Sequence, residues 1–377
     1  MGPSASLATV GRRRFMHAGA IAAGMVSGSG CFTTDDRERE GSLLSVDAAD
    51  KTDDAGQFPT YGILPYADWI PTSRHDGSPE VYFSHVDVEH VAPLGPWATS
   101  GSSAPDRAVL EAAPIVGLPL VGVMLDRWAI GTIAEYPFTA DLTADSHRVV
   151  GRLKATRRTW VDDIIVIHGT FDPTVFPDRY AAGFDASDGT NGFTVYVGAE
   201  EETAHRAYAV SDSTLVILIE REEQDIDPAA RIKAATDSYA EESERLVDVD
   251  VGTWLFETTG NARQAFGAWQ AADLQRAVTD LAPGPAIDAV ASSIDSIGDL
   301  PVIADAEHVM NVLTFDLVNG DPSTITARFA GNYPDETAPS TTEIETQLVG
   351  DAMVEELVID HDRVYVSASV DTVLHQE

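Results

Sequence analysis

The chain has 377 residues, with 24 Lys and Arg against 61 Asp and Glu, a formal net charge of −37. A nucleic-acid binder needs a basic stripe to displace counterions, and so acidic a balance leaves none. Hydrophobic residues at 44% are enough to bury a core and exclude a wholly disordered chain, while a single cysteine excludes an internal disulfide framework.

The chain opens with a short signal-like stretch. Gly11-Arg12-Arg13-Arg14-Phe15 leads into an Ala/Gly-rich apolar run that ends in Gly28-Ser29-Gly30-Cys31. Arg12 and Arg13, with Phe15 close behind, a weakly hydrophobic segment and a small-residue zone, read as a twin-arginine export signal over residues 1–30. Cys31 reads as the lipid-attachment residue once that signal is removed. Residues 18–30 are too few and too Gly-rich to span a ~30 Å hydrocarbon core. One acyl chain holds a membrane only marginally, so firm anchoring calls for a second chain or another contact.

Residues 1–30 hold three Arg and no acid, so the net charge of the remainder is −40, and its only lysines are Lys51, Lys154 and Lys233. Such charge repels itself at low salt. Molar salt shrinks the Debye length to ~3 Å and screens the repulsion. Signal and composition together resemble the exported twin-arginine lipoproteins of halophilic archaea. The resemblance implies a protein held at the extracytoplasmic face of the cell membrane through lipid on Cys31.

Residues 31–59 are rich in Asp, Glu, Ser, Thr and Gly and read as an acidic, disordered tether. Val81–Val88 reads as a strand, residues 96–106 as a loop, and Pro114 to Pro137 as a buried helix or helix pair. Ile164–Ile167 is apolar on both faces, as a central strand is. Asp172-Pro173 has the form of an N-cap followed by Pro at the first helical position, opening a helix to about Ala182. Asp185–Gly192 reads as a loop. Three strands follow (193–197, 206–210 and 214–219), with connections too short for parallel crossovers, so they are expected to be antiparallel. Asp227-Pro228 caps a helix whose apolar positions Ile232, Ala235, Tyr239 and Leu246 keep roughly helical spacing.

Beyond Trp254-Leu255-Phe256, residues 263–269 read as a strand and 273–281 as a helix. Two hairpins close the chain, one joining 311–318 to 324–329 and one joining 354–359 to 364–370. The order of elements predicts an α+β fold, antiparallel sheet with helices packed on one face, built as a domain over 60–259 and a second α+β unit over 260–377.

Chemistry is only faintly marked. Gly169-Thr170-Phe171-Asp172-Pro173 resembles the opening of the nucleotidyltransferase motif, but the His-x-Gly-His phosphate-binding pair that should follow is missing. His85, Asp87 and Glu89 alternate along a strand and point to one face, with His75, Asp76 and His90 nearby in sequence. Imidazole plus carboxylate is a workable divalent-metal field, yet no established ligand spacing supports it. Asp185, Asp188 and Asn191 lie in a Gly-containing loop without the spacing of a calcium loop. No nucleophile elbow, Walker loop or dinucleotide fingerprint is present.

No catalytic, cofactor or metal residue is therefore assigned. The expected function is a non-enzymatic, membrane-anchored extracytoplasmic lipoprotein that binds a protein or ligand. One alternative is an exported hydrolase with a site around His85, Asp87 and Glu89; another is a solute-binding lipoprotein that feeds a transporter.

Overall fold

The computed structural model describes residues 57–371 apart from 75–76, 89–111, 134–135, 140–153, 175, 188, 190, 220–226, 241–243, 261, 271–299, 319–320 and 335–336. The export signal with Arg12, Arg13 and Phe15, the lipidation residue Cys31, nearly all of the tether and the helix expected over 273–281 lie outside the described residues.

The strands are β1 (Val81–Asp87), β2 (Lys154–Val161), β3 (Ile164–Thr170), β4 (Phe184–Ser187), β5 (Thr194–Gly198), β6 (Ala207–Val210), β7 (Thr214–Leu218), β8 (Gln264–Trp269), β9 (His308–Val318), β10 (Asp321–Asn332), β11 (Met353–Asp360) and β12 (Arg363–Asp371). They form one 12-stranded sheet in the order β11-β12-β10-β9-β8-β1-β2-β3-β7-β6-β5-β4. Every pairing is antiparallel. The sheet does not close into a barrel. An antiparallel α+β fold is thus what the chain adopts. The strands on either side of residue 260 belong to the same sheet, because β8 pairs with both β1 and β9.

The expected one-sided cover is corrected by the core. Along β3, Ile165 and Ile167 enter one apolar cluster and Ile164 and Val166 another, as the period of two requires. On the first face lies α1 (Pro114–Thr132), with Ile115, Val116, Leu118 and Leu120 in the same cluster as Tyr82, Trp160 and Phe266. The segment 344–349 joins it through Ile344, Leu348 and Val349. The second face carries the 3-10 turn Pro65–Trp69, α2 (Pro228–Tyr239) and α3 (Asp250–Thr259). Tyr66, Trp69, Ile232, Leu255 and Phe256 share that cluster with Phe83, Val161 and Val216. A strand run that is apolar on both sides needs cover on both, so helices fill both layers.

Helix α1 contains Pro119 in its interior. Proline has no N–H to offer the carbonyl four residues earlier, that of Ile115. The buried Asn311 of β9 supplies the missing donor, its Nδ2 lying 2.8 Å from Ile115 O. Gly122 lets the helix approach β1 and β8: a Cβ there would come within 3.2 Å of Ser84 Cβ and 3.4 Å of Phe266 Cβ. Ser84 Oγ donates to Gly122 O across that contact at 3.1 Å. Further along, the buried Asp126 receives Arg158 from β2, with Nε to Oδ1 at 3.0 Å and Nη2 to Oδ2 at 2.6 Å.

Several local expectations shift by a turn. Asp172 does not cap a helix at Pro173. Its Oδ1 accepts from Thr174 N at 3.1 Å, a side-chain turn, and the helix runs only over Phe176–Tyr180. Asp227 does cap α2, accepting from Ala229 N and Ala230 N at 3.0 and 3.2 Å. That helix ends at Tyr239, and Leu246 begins a separate 3-10 turn. The run around Trp254 is the middle of α3, and β4 overlaps the start of the span expected to be a loop.

Candidate functional site

On the second face of the sheet, one end of the central strands is polar. There the register aligns Asp87 of β1 with Arg157 of β2, Arg157 with His168 of β3, and His168 with Thr214 of β7. One residue pair further toward the core, His85 of β1 stands opposite Thr159 of β2. A polar row therefore crosses four strands at the margin of an aromatic core.

Its roof is the 65–69 turn, which Pro65 starts with its preset φ. Tyr66 stacks on His85 with ring centroids 4.1 Å apart. Trp69 meets His168 edge-on at 6.2 Å, and Tyr239 from the end of α2 stacks on Trp69 at 4.3 Å. The turn is held to the next layer by Arg245, whose Nη1 lies 3.2 Å from Asp68 and whose Nε lies 2.9 Å from Asp248. That bond keeps the Asp248 carboxyl below its usual range. The chain direction is fixed by Leu246 N donating to Ile70 O at 2.8 Å and by a bridge between Pro71 and Arg245.

Both imidazoles are neutral at neutral pH. Burial, then the nearby His168 and Arg157, hold His85 well below the usual histidine range. Burial and then the Arg157 charge lower His168 to about 4. His85 Nδ1 is hydrogen-bonded to Thr159 Oγ1 at 2.9 Å, and both side chains are buried. A hydroxyl beside an imidazole suggests a nucleophile and its base, but both side chains are buried and the Tyr66 ring stacks on His85. The effect of the pair is to tie β1 to β2.

The remaining groups are less settled. His168 Nε2 and Trp69 Nε1 are buried without a hydrogen-bond partner among the described residues. Each such group costs desolvation that no bond offsets. Arg157 has no ion pair or hydrogen bond from its side chain among the described residues. The other arginines carried on strands are all engaged. Arg158 binds Asp126, Arg328 donates to Thr259 O at 3.0 Å and lies over the Tyr61 ring, and Arg363 lies over Trp254. Asp87, across from Arg157, turns to Arg263 at 3.1 Å.

The metal reading is not what brings these residues together. His85 and Asp87 do share a face, as alternation predicts, but one faces Thr159 and the other Arg263. Glu89, His75, Asp76 and His90 lie outside the described residues. Among the described residues no three His, Cys, Asp or Glu stand as a group that could hold a metal ion. In the loop once weighed for calcium, Asp188 lies outside the described residues. Asn191, at φ 57°, donates its amide to Asp237 Oδ1 at 3.2 Å, the reverse of what a cation needs. The Gly169–Pro173 string is a strand end held to the next turn by Gly169 N to Ser213 O at 3.0 Å and Phe171 N to Asp212 O at 2.9 Å.

Arg157 and His168 escaped sequence reading because β2 itself did. Lys154, Arg157 and Arg158 break the apolar alternation that marks a strand. The signal available was the run Thr159-Trp160-Val161 two residues before a strong apolar strand, which is the spacing of a tight hairpin.

No protein-family model matches the chain, and no curated protein matches it. Among solved structures, crystal form I of TP0453 is similar at 11% identity with a TM-score of 0.37, over 82% of this chain and 94% of that one. So low a score carries no argument about fold or function. Among the described residues no helix is long and apolar enough to cross a membrane.

Proposed function

We propose that the protein is a non-enzymatic binding lipoprotein, held by lipid on Cys31 at the extracytoplasmic face of the membrane. Arg12, Arg13 and Phe15 direct its export, and the acidic stretch 31–59 spaces the folded part from the bilayer. The observation that carries the binding half is the polar row on the second face. Its cation is the Arg157 guanidinium, which stays protonated and so attracts without exchanging a proton, while its carboxylate, Asp87, is bonded to Arg263. Its histidines are held too low to serve as acids at neutral pH. Such groups suit holding a ligand better than turning one over.

A hydrolase centred on His85 fits less well, because that ring is stacked and hydrogen-bonded on its inner side. A two-lobed solute receptor of parallel α/β design is disfavoured by the single antiparallel sheet. The anchor is tested by mass spectrometry of the native amino-terminal peptide. It is expected to begin at an acylated Cys31, and Cys31→Ser is expected to move the protein to the soluble fraction. An intact residue 1 or a free thiol at Cys31 would overturn it. Turnover of ester, peptide or phosphoester substrates that disappears in His85→Ala would overturn the non-enzymatic half.

A further inference from the structure

We infer that Arg157, His168 and Trp69 form a binding site for a small anion, a carboxylate or inorganic oxyanion that presents acceptors only. This rests on reading the protein as a binder and names the chemistry its site takes.

Three donor-bearing side chains adjoin there, with His168 between the other two. Arg157 is half-buried and lies directly across the β2–β3 register from His168, a separation at which side chains on one face touch. Among the described residues the indole N–H of Trp69 and the Nε2 of His168 both lack a partner, in rings that contact each other. A neutral imidazole with its proton on Nε2 is a donor, an indole N–H is only a donor, and a guanidinium has no acceptor at all. An anion bound among them would satisfy every one.

The charge balance of the molecule makes the arrangement unusual. Acids outnumber bases 61 to 24, so carboxylates for a spare arginine are plentiful. Asp126, Asp163, Asp68 and Asp87 are each used in that way by Arg158, Arg231, Arg245 and Arg263. Among the described residues no carboxylate is bonded to Arg157, and the one opposite it in the register, Asp87, is bonded to Arg263. Partial burial shields Arg157 from the salt that screens surface charges. On the same side Tyr239, stacked on Trp69, is 38% exposed.

The test is titration of the full folded chain with acetate and separately with inorganic phosphate, in molar potassium chloride. It is read by the 15N-bound proton of the Trp69 indole and the ring nitrogens of His168. A saturable shift of both signals with at least one probe is expected, and which probe acts distinguishes a carboxylate from an inorganic oxyanion. Arg157→Gln is expected to weaken that binding at least tenfold. Arg157→Lys, which keeps the charge and loses the fork, should fall between. Thermal melts of each variant check that it folds; if Arg157→Gln does not, the Lys variant and His168→Phe carry the comparison. No saturable shift with either probe, or equal binding by the variants, overturns the site while leaving the anchored-binder reading intact.

Discussion

At the scale of single residues, Asn311 shows how a local fault is mended by a distant side chain. Pro119 frees the Ile115 carbonyl inside α1, and Asn311 Nδ2 takes it up from β9 at 2.8 Å. Replacing Asn311 with Leu should leave that buried carbonyl unpaired and cost about 1–3 kcal/mol in chemical denaturation. The loss should shrink when Pro119→Ala is added, because a backbone N–H returns at 119; equal losses in both backgrounds would refute the coupling. The buried histidines set a pH dependence. Burial lowers both His168 and His308 to about 4, against about 6.5 in an unfolded chain. His308 also receives Gln270 N on its Nδ1 at 3.1 Å while stacking on Trp269, a role open only to the neutral ring. Above about pH 6.5 both folded and unfolded rings are neutral and stability is undiminished. As pH falls from there toward 4, the unfolded chain takes up protons that the folded one refuses, and stability drops. Denaturation midpoints across that window should fall less steeply in His168→Phe and His308→Phe than in the parent. The carboxylates that titrate at its lower end are common to all three.

At the scale of elements, strands with apolar residues on strict or continuous patterns are the ones the sequence marks. β3, β5, β6, β7 and the two closing hairpins fall where expected. β2 does not, since Lys154, Arg157 and Arg158 interrupt its apolar pattern, and the partner that Arg158 meets, Asp126, belongs to α1. The outer strand β11 raises a different issue. It is an edge, and Met353, Val354 and Ile359 stand exposed on it. A free edge with apolar side chains invites another strand. Glu355, Glu356 and Asp360 are exposed there too, and a bulge between Val354 and Glu356 breaks the register. These charges oppose edge-to-edge pairing. Replacing Glu356 with Thr should raise self-association at equal protein concentration in sedimentation equilibrium, more so in high salt where the remaining charges are screened. An unchanged mass average would show that the bulge alone protects the edge.

At the scale of the whole molecule, one sheet covered on both faces sets the stability and acidity sets its salt dependence. A net charge of −37 on a compact chain repels itself, and buried pairs such as Asp163–Arg231 offset little of it. Lowering salt from molar to tens of millimolar lengthens the Debye length from ~3 Å toward 10 Å or more. The melting temperature should fall steadily over that range in potassium chloride. A flat response would mean that the charges are spaced too widely to matter. The expected seam near residue 260 lies within continuous strand pairing, since β8 on one side of it bonds β1 from the other.

Composition and pattern, taken without coordinates, determined the class: periods of two in the strands and connections too short for crossovers dictate antiparallel pairing, and the Asp227-Pro228 cap dictates where α2 begins. They also placed His85 and Asp87 on one face, because alternation is a local property of a strand. Folding in three dimensions decided the rest. Whether a face is covered depends on which helices return to it, and whether an arginine is paired depends on residues in other elements, 32 positions away for Arg158 and 176 for Arg263. Arg157 and Arg158 are neighbours in the chain with the same chemistry, but a strand sends them to opposite faces, one to a waiting carboxylate and the other to two neutral histidines.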